Sequence, residues 1–291
     1  MIGAIAGDII GSIYEHDPIK TKDFFLFHPQ CCFTDDTVLT IAIAKAILDD
    51  RNYFKALREI GRKYPYVGYG GSFIHWLRST APKPYNSWGN GSAMRVSPVG
   101  FAFDSVDTVL QEAAHTAEMS HNHSEGVKGA QATALSVYLA RTTQDKTLIK
   151  REVVDLFGYD LNRTVEDIRP SYEFDISCQG TVPEALIAFL DSDSYEDAVR
   201  NAISLGGDSD TLACITGGIA EAYYGPVAPP IQNKVKECLT EDLWQITEQF
   251  CRRYGMQKSI GIGTPIAERP SHTTGHTGHV SGDSAGQNRH R

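Results

Sequence analysis

The chain has 291 residues, 41% hydrophobic and 22% charged, a composition suited to a globule with a large core. Asp and Glu number 36 against 27 Lys and Arg, a formal charge of −9; this counts against a surface that coats nucleic acid, where each phosphate contact needs a cation. No run of about 18 apolar residues is present, so no membrane-spanning helix is expected.

From the N-terminus, residues 2–14 place Ile2, Ile5, Ala6, Ile9, Ile10 and Ile13 at helical spacing. Gly3, Gly7 and Gly11 form a second stripe on the same stretch. Glycines cost helix propensity, so the stripe predicts that another backbone passes close by. A helix over Thr37–Asp50 is apolar on nearly every face and belongs in an interior. Helical patterns continue over 53–63, 72–79, 106–119, 124–141, 145–157, 182–190, 195–205, 210–224 and 231–254. Ser105, Ser124, Thr181 and Ser194 are expected N-caps, with Pro183 just inside the start of its helix. The expected fold is all-α, a compact orthogonal bundle of roughly ten or more helices. One domain is expected over residues 1–258. The Gly, Ser, Thr and His-rich remainder, 259–291, is expected to be a flexible tail. Six cysteines show no metal-binding spacing and are expected to be free thiols. Met1-Ile2-Gly3-Ala4 lacks the basic start of a signal peptide, so a cytoplasmic protein is expected. No exposed apolar stripe is evident, and a monomer is expected.

Two segments carry paired carboxylates at helix starts: Thr34-Asp35-Asp36-Thr37, and Gly206-Gly207-Asp208-Ser209-Asp210-Thr211. Helix capping explains one oxygen at such a place, not two carboxylates and a hydroxyl. Both segments abut apolar helices, and a buried carboxylate is costly unless paired or bound to metal. Neither contains a basic residue. Brought together, they make an all-oxygen cluster suited to hard cations such as Mg²⁺ or Mn²⁺. Four aspartates match two divalent ions, which can orient a substrate oxygen and activate a water.

A third segment, Asn86-Ser87-Trp88-Gly89-Asn90-Gly91, precedes a short helix, and its amides suit a phosphate. It is neither a Walker loop nor a dinucleotide fingerprint. Trp88 could stack on a ring. Glu15 is expected at the end of the first helix. His121 and His123, two residues apart, point in different directions and are not expected to form a zinc site.

Five ordered motifs resemble the ADP-ribosylglycohydrolases, and the resemblance covers roughly residues 1–255. They are Gly7-Asp8-x-x-Gly11-Ser12 with Glu15, Thr34-Asp35-Asp36-Thr37, Gly89 to Arg95, His121 with Gly126 and Gly129-Ala130, and Gly206-Gly207-Asp208-x-Asp210-Thr211. The resemblance implies an all-α enzyme with a buried centre of two Mg²⁺ or Mn²⁺. Its ligands would be Thr34, Asp35, Asp36, Asp208, Asp210 and Thr211. It also implies that residues 86–91 and His121 receive a diphosphate, that residues 174–180, which match loosely, lie near an adenosine, and that Glu15 is a flap glutamate.

The expected activity is hydrolysis of the glycosidic bond between ADP-ribose and a modified protein or small acceptor, releasing ADP-ribose. Glu15 and Asp208 are the candidates for proton transfer. The alternative is a catalytically silent ADP-ribose-binding or structural member of the same fold.

Overall fold

A computed structural model describes residues 1–255; the expected tail lies outside them. Fifteen helices follow one another: α1 (Ile2–Gly11), α2 (Asp35–Leu48), α3 (Tyr53–Lys63), α4 (Gly71–Arg78), α5 (Gly91–Met94), α6 (Ser97–Ala102), α7 (Val106–Glu118) and α8 (Ser124–Thr143). Then come α9 (Lys146–Phe157), α10 (Val165–Ile168), α11 (Cys178–Leu190), α12 (Tyr195–Ser204), α13 (Ser209–Tyr224), α14 (Pro229–Cys238) and α15 (Glu241–Tyr254). The described residues contain no strand, only an isolated bridge between Gly89 and Ser177. The all-α expectation is borne out. No helix among them is long and apolar enough to cross a membrane, and the six cysteines are unpaired.

Helix α1 is buried along its whole length, and so is α13 from Ser209 to Ala222. The glycine stripe is what brings them together. A Cβ on Gly3 would stand 2.5 Å from the Gly217 carbonyl oxygen, one on Gly7 2.0 Å from that of Ala213, and one on Gly11 2.5 Å from that of Ser209. The passing backbone predicted from the stripe is therefore α13. This close approach sets the position of Asp208 and Asp210 at the start of α13 relative to Asp8 on α1.

Several boundaries differ from the sequence reading. Helix α1 stops at Gly11, where Tyr14 N bonds Gly11 O at 2.8 Å and opens a turn. Glu15 thus stands beyond the helix rather than at its end. Helix α2 starts two residues early because Thr34 caps it, accepting from the Asp36 amide at 3.3 Å. Ser105 and Ser194 do cap α7 and α12. Ser124 and Thr181 do not cap: His123 caps α8, and Ser177 caps α11 by accepting from Gly180 N at 3.0 Å. Pro183 consequently lies inside α11. The single helix expected over 231–254 is two, broken at Leu239-Thr240. There Asp242 is drawn toward α3, accepting from Tyr64 Oη at 2.7 Å and Lys63 Nζ at 2.5 Å.

Candidate active site

The starts of α2 and α13 meet beside α1. Asp8, fully buried on α1, accepts from Thr34 N at 3.0 Å, Thr34 Oγ1 at 2.6 Å and Thr37 N at 3.2 Å. The turn that presents Asp35 and Asp36 is therefore moored to α1. Thr211 Oγ1 donates to Asp36 Oδ2 at 3.3 Å and joins segments 175 residues apart. Asp208 Oδ2 accepts from Asn90 Nδ2 at 2.7 Å. Glu15, Asp208 and Asp210 each bring a carboxylate oxygen within 4.8 Å of the other two. Asp35 faces the segment after α3: its amide bonds Val67 O at 2.8 Å, and a Cβ on Gly68 would stand 3.3 Å from its Oδ1.

Burial raises the pKa of every one of these carboxyls. Asp8 is pushed up to about 6 despite the bonds from Thr34 and Thr37. Asp35, Asp36 and Asp210 rise well above the ordinary range through burial, with neighbouring aspartates adding to it. Asp208 rises through burial against its bonds from neighbouring side chains. Glu15 rises through burial and through the charges of Asp208 and Asp8. Among the described residues, no lysine or arginine pairs with any of the five aspartates. Asp36 Oδ1 is buried with no hydrogen-bond partner. Oxygen-only donors, excess negative charge and an orphaned carboxylate oxygen fit a hard divalent cation.

Glu15, Asp35, Asp36, Asp208 and Asp210 line a cavity of about 370 Å³. Ser87, Gly89, Asn90, Gly91 and His121 line the same cavity. The Gly89–Ser177 bridge holds this turn, with Asn90 N bonding Ile176 O at 2.8 Å and Cys178 N bonding Trp88 O at 3.0 Å. A Cβ on Gly91 would fall 2.9 Å from His121 Nε2, so the imidazole sits directly on the glycine. Phe174 and Ile176 line the same cavity and are half exposed.

All six expected metal ligands line this cavity, as does Glu15. Of the expected diphosphate residues, Asn86 and Trp88 stand off its wall. The Asn86 amide is spent on Asn122 Oδ1 at 2.8 Å, and Trp88 is 46% exposed beside the turn. The amides of Gly89 and Asn90 are also spent, on Ser87 Oγ and Ile176 O. Among the described residues, those of Ser87, Trp88 and Gly91 make no such bond. Asn90 turns its side chain to Asp208, serving the carboxylates instead. His123 caps α8 through Nδ1, 3.1 Å from the Glu125 amide.

Sequence reasoning quoted Asp8 within a motif but gave it no part in the site. Its signal was present: it is the only charged residue between Met1 and Tyr14. Phe73, Tyr85 and Arg95 on the cavity wall gave no such signal.

The sequence profile of the ADP-ribosylglycohydrolase family matches residues 1–259. The chain is 26% identical to ADP-ribosylhydrolase ARH3 of Homo sapiens, across 77% of this chain and 84% of that protein. It is 22% identical to ADP-ribosylarginine hydrolase Tri1 of Pseudomonas putida, across 87% of this chain and 77% of that protein. A solved structure described as an ADP-ribosylglycohydrolase-related protein complex superposes with a TM-score of 0.65 at 24% identity, covering 88% of this chain and 97% of that one. The fold, the ordered motifs and the family match over all the described residues agree: this chain belongs to the ADP-ribosylglycohydrolase family.

Proposed function

We propose that this protein is a divalent-metal-dependent hydrolase that cleaves the glycosidic bond between ADP-ribose and a modified side chain or small acceptor, releasing ADP-ribose. The observation that carries this reading is the carboxylate cluster with no lysine or arginine partner among the described residues and an orphaned Asp36 Oδ1, sharing one cavity with a glycine turn under His121. Asp35, Asp36, Asp208 and Asp210 would hold two Mg²⁺ or Mn²⁺, with the Thr34 and Thr211 hydroxyls. The Thr34 and Thr211 protons already point to Asp8 and Asp36, which leaves hydroxyl lone pairs for a cation. Cations bound there supply Lewis acidity toward a ribose diol and a water.

The chain's own groups divide the remaining work. His121 and the uncommitted amides of Ser87 and Gly91 on the cavity wall receive the diphosphate, so an acidic protein can hold an anionic substrate without a basic patch. Asp208 has one oxygen fixed by Asn90. Glu15 stands in the turn beyond α1, on the cavity wall, and is the freer carboxylate to move a proton during departure of the acceptor. Bond cleavage passes through an oxocarbenium-like state, as in glycoside hydrolysis generally.

The test is incubation with ADP-ribosyl-arginine, ADP-ribosyl-serine and O-acetyl-ADP-ribose, with and without EDTA. Release of ADP-ribose that EDTA abolishes is the expected result. Release that survives EDTA overturns the metal reading, and tight ADP-ribose binding without release from any substrate overturns the enzyme.

A further inference from the structure

Arg95 is the largest charged side chain sealed among the described residues, with no exposed surface. Among the described residues it has no carboxylate partner, and its Nε and Nη1 are buried without a hydrogen-bond acceptor. Its Nη2 bonds Thr116 O at 2.7 Å and Ser120 Oγ at 3.0 Å. Ser120 Oγ in turn lies 2.7 Å from His121 Nδ1. An unpaired buried guanidinium is costly, and what it reaches is the one histidine on the cavity wall.

Proton bookkeeping along this path gives a direction. A guanidinium only donates, so Ser120 Oγ must accept from Arg95. Arg95 Nη2 and His121 Nδ1 are the two hydrogen-bond partners of that oxygen among the described residues. The Ser120 hydroxyl proton is then free for His121 Nδ1. A neutral imidazole that accepts at Nδ1 carries its proton on Nε2, and Nε2 lies over the Gly89–Gly91 turn.

We infer that Arg95 and Ser120 are positioning residues that hold His121 as a neutral imidazole with its proton on Nε2, aimed at the anion-binding turn. Burial and the Arg95 charge both push the His121 pKa well down, which favours the same neutral form. Arg95 acts in two ways at once: it sets the tautomer through Ser120, and its charge disfavours the imidazolium. The diphosphate would meet a fixed N–H donor rather than a ring free to turn its bare nitrogen toward it. The donor's target rests on the diphosphate reading above; the tautomer does not.

The test uses ¹⁵N-imidazole NMR on the whole, ligand-free protein, with Ser120→Ala and Ser120→Thr beside the wild type. The expected wild type shows a bare Nδ1 and a protonated Nε2 for His121. Ser120→Ala should lose that pattern and Ser120→Thr should restore it. Removing one hydrogen bond of this kind should raise the dissociation constant for ADP-ribose about threefold to tenfold in Ser120→Ala, raising KM for an ADP-ribose conjugate with little change in kcat, and Ser120→Thr should recover it. A wild-type ring protonated on Nδ1, or a pattern unchanged in Ser120→Ala, overturns the inference. If the pattern behaves as expected but the wild type binds no ADP-ribose, the relay stands and the diphosphate reading is what fails.

Discussion

Asp8 on α1 takes the Thr34 hydroxyl at 2.6 Å and the Thr34 and Thr37 amides at 3.0 and 3.2 Å. One carboxylate thus serves as anchor for the turn that carries two others. Asp36 has a different part, accepting only the Thr211 hydroxyl with Oδ2 while its Oδ1 goes unused. The two aspartates should therefore respond oppositely to substitution. Asp8→Ala strands two amides and should cost about 2–6 kcal/mol, at about 1–3 kcal/mol per buried unsatisfied group. Asp36→Asn keeps an acceptor and removes one of several like charges, so the metal-free protein should be as stable or more so. Urea unfolding in EDTA measures both, and an Asp36→Asn loss as large as that of Asp8→Ala would contradict this division.

Gly7→Ala would place a methyl group 2.0 Å from the Ala213 carbonyl. The obstacle is backbone, so α1 and α13 must move apart. Overpacking costs about 1–3 kcal/mol, occasionally more, and should outweigh the roughly 1 kcal/mol that alanine gains in a helix. Activity should fall too, because α13 carries Asp210 and starts at Asp208. Gly70, whose Cβ would meet nothing within 4 Å, is the control: Gly70→Ala should unfold within about 0.5 kcal/mol of wild type.

His121 has its pKa held well below 6.5 by burial and by Arg95. Below 6.5 the unfolded chain takes up a proton that the folded protein refuses. Its contribution to stability is therefore present above pH 6.5 and is lost as pH falls toward the folded pKa, at up to about 1.4 kcal/mol per pH unit. His121→Gln should flatten this part of the stability profile between pH 6.5 and 5. An NMR titration in which His121 protonates at or above 6.5 would refute the assignment.

A divalent cation that binds only the folded protein should raise its melting temperature. At about 100 times the dissociation constant the gain is about 2.7 kcal/mol, or roughly 5–10 °C for a chain of this size. Mg²⁺ or Mn²⁺ should produce it in the wild type, and Asp210→Asn should abolish most of it together with turnover. Scanning calorimetry with and without the ion decides this, and a full shift in Asp210→Asn would remove Asp210 from the ligand set.

Much of this protein is decided by interactions between near neighbours in the chain, and those are readable from residues alone. The period of the apolar positions gave α1, α2 and α13 their type and their burial. The glycine stripe at 3, 7 and 11 announced a close helix neighbour, though not which one. The pairing of carboxylates with threonine at two helix starts exceeded what capping requires, and so marked 34–37 and 206–211. Boundaries were less legible where a cap competes with a nearby alternative, as Ser177 does with Thr181.

What the sequence could not carry is the set of contacts made across long stretches of chain. Asp8 became an anchor only because α1 lies under the start of α2, and Thr211 meets Asp36 only because the glycines let α13 approach α1. The 86–91 turn read as a uniform row of amides, yet bonds to Asn122, Ser87 Oγ and Ile176 occupy those of Asn86, Gly89 and Asn90, while those of Ser87, Trp88 and Gly91 make none among the described residues. The path from Arg95 through Ser120 to His121 lies wholly in this class, since no spacing rule links those three positions. Helix type and capping depend on atoms a few residues apart, whereas hydrogen-bond partners at a site depend on which helices the core packs together.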